Sequence, residues 1–323
     1  MNTLSVLGKY LDQPKFIKKF SSAVPAVLIV GGSGIAAEHI YNSPKKERSK
    51  EAKKSFIVIA ATIVSAIFAP KIASKFVSGH HHHHHHDTAE LVQDFLKKNK
   101  LSPYITERLN KAKEKVLSFS EIKKVFEEVG KTKKGQKFLD EFVPSPENID
   151  SKHIFDEIGK LSVMGLITVL GGITGGIAAD KLTEDNWKSR IPNKIKEGTY
   201  QYLANIFLCN IGAGAALLVL EKANVKSKPA RALAMIGGII LTGVVFGSVM
   251  ANFIGERFIE PLFGHKHNKG LYHERKPEAL DIGLHVDDVA TVAVLSGLKW
   301  IEPALPVLYA ISGYRAGIGY RNG

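Results

Sequence analysis

Apolar, glycine-rich stretches alternate along this chain with lysine-rich polar ones. Block one is Ala23–Ile40. Block two starts at Ser55, meets Pro70, and continues past Lys71 and Lys75 to Val77. Block three is Leu161–Ala179, block four Tyr200–Leu220 and block five Ala232–Ile254. Block six covers about Val289–Ile318 and contains Lys299, Glu302, Pro303 and Pro306. A helix needs roughly 20 mostly apolar residues to cross a bilayer. Blocks three to five meet that length. Blocks one and two fall short and read as a tilted pair or a re-entrant hairpin. Block six is too long for one straight span. Two prolines remove backbone donors there, so it reads as a kinked helix or as two half-helices meeting near Lys299–Pro306. The pattern predicts an all-α, polytopic helical membrane protein with about six apolar segments, the last kinked or broken, and a small helical polar insert.

Four regions follow. Residues 1–79 form an N-terminal membrane hairpin with basic flanks, and 80–86 are a poly-His tract. Residues 87–160 form a small helical polar subdomain, and 161–323 a membrane helical domain. In the insert, Asp87 and Glu90 are spaced as a capping box ahead of Leu91, Val92, Phe95 and Leu96. Ser102-Pro103 is an N-cap with proline at the first helical position, opening a helix to about Leu117. Ser118 and Glu121 form a second capping-box pair, followed by Ile122, Val125, Phe126 and Val129 on one face and Gly130 as a stop. Gln136–Phe142 is a shorter helix ended by Pro144 and Pro146. Residues 150–160 lead into block three. The apolar faces of these helices are expected to pack on one another. His80–His86 follows Ser78-Gly79 and reads as an internal affinity tag or a low-complexity loop; it is left out of the fold.

Residues 27–40 (VLIVGGSGIAAEHI) and 169–182 (VLGGITGGIAADKL) share six identities in 14 positions, with Gly34 aligned to Gly176 and Glu38 to Asp180. Each is followed by a basic connection and another apolar block, so blocks one–two and three–four read as two copies of one hairpin. Gly34-Ile35-Ala36, after Lys15, Lys18 and Lys19, resembles a signal-peptide cleavage site, but the repeat argues that block one stays. Gly171/Gly175, Gly172/Gly176 and Gly243/Gly247 are small-xxx-small pairs, which let helix backbones approach closely.

Charge narrows the partners. The chain has 323 residues and a formal net charge of +13. The insert holds 15 basic and 14 acidic residues, so the remaining +12 lies mostly in short loops beside apolar blocks. Cations so placed suit lipid headgroups, and no basic face interleaved with aromatics points to nucleic acid. The expected partners are the lipid bilayer and a protein partner or second copy docking on glycine-rich helices. With six spans, the short segments on the N-terminal side carry 9 Lys and Arg, and those on the other side 16. The positive-inside rule makes the second set cytoplasmic and places the insert outside; the assignment flips if blocks one and two do not both span. The expected location is a bacterial cytoplasmic membrane.

Candidate chemistry is sparse. A single cysteine excludes a disulfide framework and a cysteine-built zinc site. Gly32-x-Gly34-x-x-Ala37 has dinucleotide-binding spacing, but Pro44 cuts the helix short and no acidic residue closes a following strand. Ser33 in Gly31-Gly-Ser-Gly34 has no histidine at the centre of a later block to activate it. Block four carries Asn205, Cys209 and Asn210, with Asn205, Cys209, Gly212 and Ala216 on one face. Lys299 and Glu302 lie three apart inside block six; buried charge is costly, so the two are expected to pair. His265, His267, His273, His285 and Asp287, with Asp288, Glu256 and Glu260 nearby, offer ligands for a divalent metal, though in no established spacing. No cofactor is expected. The leading reading is a non-enzymatic structural or interaction protein of the membrane. The alternatives are a small-solute or ion transporter or channel using the broken last helix, and a metal-dependent membrane enzyme.

Overall fold

The computed structural model describes residues 3–77, 88–143, 151–225, 228–263 and 299–319, and they contain helices and no strand. The poly-His tract and the five loop ligands at 265–287 lie outside the described residues. The chain divides into two compact units. One comprises Met1–Ala23, Gly79–Ile149 and Ala293–Pro303, the other Val24–Ser78, Asp150–Val292 and Ala304–Gly323.

The first unit is built on α1 (Thr3–Leu11), α4 (Thr88–Lys98), α5 (Pro103–Ala112), α6 (Phe119–Val129) and α7 (Lys133–Phe142). The serine caps work as their spacing implies. Ser102 accepts from the Ile105 N–H, and Ser118 accepts from Glu121 N–H while Glu121 Oε2 accepts from Ser118 N–H at 2.7 Å. Thr132 caps α7 by accepting from Gly135 N–H at 3.0 Å. The apolar faces meet in one core: Val92, Ile105, Leu109, Leu117, Ile122, Val125, Phe138, Leu139 and Phe142 are all buried. Phe95 stacks on Phe138 with centroids 3.9 Å apart.

Two expectations need correction here. α5 stops at Ala112, not near Leu117. Leu117 N–H is taken by the Gln13 side-chain oxygen at 2.8 Å, and Leu117 C=O accepts from the Gln13 amide at 3.0 Å, so neither group serves a longer helix. The region boundary at 79 also moves. Residues 1–23 belong with the insert, since Val6 of α1 is in its core and Gln13 holds its backbone. Asp12, buried, accepts from Trp300 N–H at 2.9 Å and ties in the segment before the last helix.

The second unit contains α2 (Pro14–Asn42, from Val24 on), α3 (Arg48–Val77), α8 (Ser151–Thr183), α9 (Ile191–Tyr202), α10 (Leu208–Lys222), α11 (Lys228–Ile239), α12 (Ser248–Ile254), α13 (Glu260–Leu262) and α14 (Leu305–Ile318). Widened π-helical turns at Leu203–Phe207, Ile240–Gly247 and Gly255–Ile259 join α9 to α10, α11 to α12 and α12 to α13. Five segments among the described residues are long and apolar enough to cross a membrane: Pro14–Asn42, Arg48–Phe76, Phe155–Thr183, Trp187–Lys222 and Leu233–Leu262. Blocks one and two are therefore not short. Their lysine-rich flanks continue the helix, and Pro25 and Pro70 lie inside it. The sixth segment is described only as a 3₁₀ turn, Lys299–Ala304, followed by the 14 residues of α14, about 21 Å at 1.5 Å per residue.

Glycines set the helix spacing. α8 carries two adjacent glycine pairs that face different neighbours. Gly171 and Gly175 meet Ser65 and Ala61 of α3, while Gly172 and Gly176 lie against the backbone carbonyls of Gly313 and Gly317 in α14. Gly212 of α10 meets Gly238 of α11 in the same way, and Gly243 and Gly247 press on Cys209 and Ala204. The two sequence copies differ sharply in this respect. Gly34, aligned with Gly176, has nothing within 4 Å of where a Cβ would stand.

Candidate functional site

The densest set of buried charges lies where five helices of the second unit end. α3 begins with Lys50, Glu51 and Lys54, α8 ends with Asp180 and Glu184 just beyond it, and α9 begins after Arg190 with Lys194 in its first turn. Spacings of three and four put each set on one helical face. Lys50 Nζ lies 2.6 Å from Glu184 Oε2, and Lys54 Nζ donates to Glu184 Oε1. Lys54 Nζ is also 3.8 Å from Asp180 and 3.7 Å from Glu51. Arg190 Nη2 reaches Glu184 Oε1 at 3.2 Å, and Lys194 Nζ reaches Asp180 Oδ2 at 3.1 Å. His39, near the end of α2, places Nε2 3.1 Å from Glu51 Oε2.

Apart from Glu51 at the start of α3 and His39 near the end of α2, each of these charges is of the wrong sign for its own helix, since a helix favours anions at its N-terminus and cations at its C-terminus. It is of the right sign for the neighbour it touches. Lysines at the start of α3 stand at the carboxylates and last turn of α8. Lys194, at the start of α9, donates to the C-terminal carbonyls of α14, Gly317 O at 2.5 Å and Ile318 O at 3.3 Å. The cluster is thus a mutual cap of helix ends. Burial works against ionisation of Glu184, but hydrogen bonds from Lys50 and Lys54 outweigh it and hold its carboxyl at about 2. A cavity of about 330 Å³ opens among these residues, lined also by Ser55, Ser189 and Asn193.

From this cluster a buried polar ladder runs along α9. Glu197, Gln201 and Asn205 repeat every four residues and are 2%, 0% and 2% exposed. Gln201 donates to Glu197 at 2.8 Å, and Asn205 donates to Gln201 at 2.9 Å. Arg315 of α14 stands 3.7 Å from Glu197. Asn210 donates to Ser162 of α8 at 3.5 Å, and the Cys209 thiol donates to Ala204 O at 3.0 Å.

The predicted polar residues are thereby placed unevenly. Asn205 and Asn210 are both buried and hydrogen-bonded, Asn205 at the foot of the ladder. Glu302 is half-buried in the 3₁₀ turn; Lys299 opens that turn, and its side chain lies outside the described residues. Pro303 sits within the turn and Pro306 in the first turn of α14, where a missing N–H costs little. Among the described residues no three His, Cys, Asp or Glu side chains gather as metal ligands, and Glu260 is paired with Lys196. The residues around Gly32–Ala37 lie inside α2, in line with setting the dinucleotide motif aside. Sequence reading missed the charged cluster and the upper ladder. The signal was present as acid–base residues at spacing four on both sides of the Asp180–Lys194 connection, but it fell just outside the apolar blocks. Comparison with known protein families, curated proteins and solved structures finds no match for this chain.

Proposed function

We propose that this chain is a multipass integral membrane protein of a bacterial cytoplasmic membrane with a non-enzymatic, structural or interaction role. The observation that carries the role is the pairing of the charged cluster across the helix ends. Lys50, Lys54, Arg190 and Lys194 each face a carboxylate, and Lys194 also caps the end of α14. That is the arrangement of a clamp between helices. Five long apolar helices support the membrane reading, and helices rather than strands suit the cytoplasmic membrane. The first unit adds support. It joins residues before α2 to residues after α3, which emerge on one face of a bilayer if both helices cross it. The positive-inside count puts residues 87–160 outside. Membranes washed with alkaline carbonate should retain the protein, and protease added to intact spheroplasts should cut within 88–143; release by carbonate refutes the membrane reading, and protection of the first unit inverts the topology.

The buried ladder supports a second reading, an ion or proton pathway. Ionisable groups inside a bilayer mark such paths, and Glu197, Gln201 and Asn205 extend about 12 Å along the helix axis. Reconstituted protein should then pass protons or a monovalent cation, and Glu197→Gln that still reconstitutes as folded protein should abolish the flux. Vesicles no leakier than protein-free ones leave the structural reading standing.

A further inference from the structure

We propose that the cavity among the ends of α2, α3, α8, α9 and α14 is a binding site for a phosphate-bearing anion. Three observations converge on it. The first is charge balance. The ion-pair network around the cavity holds four cations, Lys50, Lys54, Arg190 and Lys194, against three carboxylates, Glu51, Asp180 and Glu184. His39 lies beside Glu51, its Nε2 3.1 Å from Glu51 Oε2. Lys50 and Arg190 carry part of the network's positive charge at the open edge, 42% and 50% exposed, where it is accessible to an anion from solvent. Lys54 and Lys194 are the deep members of the set, 9% and 4% exposed.

The second observation is the donor set. Ser55, Ser189 and Asn193 line the same cavity, with Ser55 buried and the other two on its open side. Arg190 lines that open side with its side chain half exposed, and its contact to Glu184 runs through Nη2. A guanidinium carries five donors in a planar fork, so it can serve a carboxylate and a phosphate together. The third is the start of α9. No side chain caps it, and its N-cap and first turn contribute Arg190, Asn193 and Lys194 to the wall. Its first amide, Ile191 N–H, already bonds Lys188 O and Pro192 has none, so the wall here is made by these three side chains. The volume, about 330 Å³, falls at the low end of small-ligand pockets, roughly 300–1,000 Å³. It has room for a phosphate and a short substituent.

The phosphate can come from an acidic phospholipid headgroup or from a free phosphorylated solute. Only the lipid source rests on the membrane reading. The test uses the full chain, delipidated in a neutral detergent, with melting temperature read against inorganic phosphate, against sodium chloride of equal ionic strength, and in nanodiscs of phosphatidylglycerol or phosphatidylcholine. Stabilisation by phosphatidylglycerol but not by phosphate assigns the site to a lipid headgroup; stabilisation by phosphate over chloride assigns it to a free anion. In either case Arg190→Gln, a half-exposed position, should weaken the apparent affinity about tenfold or more, and Asn193→Ala should weaken it less. No stabilisation by either probe overturns the proposal. So does stabilisation that survives unchanged in both variants, which marks general surface electrostatics. Carbonate extraction tests the membrane reading separately, so a protein that leaves the membrane yet binds phosphate fails one reading and keeps the other.

Discussion

Single glycines decide how closely the helices of the second unit approach. A methyl at Gly172 or Gly176 would overlap the carbonyl of Gly313 or Gly317, and a backbone cannot step aside as a side-chain tip can. At Gly175 the new Cβ would stand 2.5 Å from Ala61 Cβ. Gly34 has open space. Gly172→Ala and Gly176→Ala should therefore each cost about 1–3 kcal/mol through overpacking. Gly34→Ala should be neutral or stabilising by up to ~1 kcal/mol, because alanine is the better helix former. Thermal unfolding in detergent compares them directly, and equal losses at Gly34 and Gly176 would refute the packing asymmetry. The aligned sequence copies carry the same residue type at these two positions, so only the presence of α14 separates their roles.

At the scale of elements, the N-cap of α6 carries the clearest pH dependence. Burial opposes ionisation of Glu121, but Lys111 at 2.8 Å and the Ser118 N–H bond the carboxylate and lower its pKa from 4.5 to about 2. A folded-state value below the unfolded one stabilises above pH 4.5 and loses that contribution as the pH falls toward 2. Acid titration of the full chain, followed by proteolytic susceptibility within 88–143, should show the first unit loosening in that window. Glu121→Gln should be less stable at pH 7 and should flatten the acid dependence between pH 4.5 and 2. Ser118→Ala should cost about 1 kcal/mol at neutral pH. The insert helices were legible in the sequence because caps and helical periodicity are local. Serine, proline and glutamate at fixed offsets satisfy backbone groups a few residues away, whatever else the chain does.

At the scale of the whole molecule, the charged cluster joins helices far apart in sequence, so it tests the fold as a unit. Lys194 serves two partners at once, Asp180 on α8 and the carbonyls at the end of α14. Lys194→Met should be destabilising by about 3 kcal/mol, because it takes from buried Asp180 its nearest cation and leaves it only the more distant Lys54 at 3.8 Å. Adding Asp180→Asn should recover part of that loss and not all of it, since the α14 carbonyls stay without their cap. Denaturation of the three variants in one detergent measures the coupling. Full recovery in the double mutant would mean the carbonyl contacts contribute nothing.

The sequence alone determined the class and the periodic elements. Long apolar runs bounded by lysines dictate helices able to cross a membrane, and Ser102, Ser118 and their partners dictate where the polar helices start. It also marked the glycine pairs. Tertiary structure decided which neighbour each glycine meets, that α1 completes the core of the insert, and that the turns flanking α3, α8 and α9 converge into one buried cluster. The reason is range. Caps and hydrophobic period are settled within about a turn of helix, whereas the pairing of Lys54 with Glu184, or of Lys194 with the end of α14, joins residues more than 100 positions apart. In the sequence those charges look like ordinary solvated flanks of apolar blocks; only the antiparallel packing of α3 on α8 and the return of α14 bury them together.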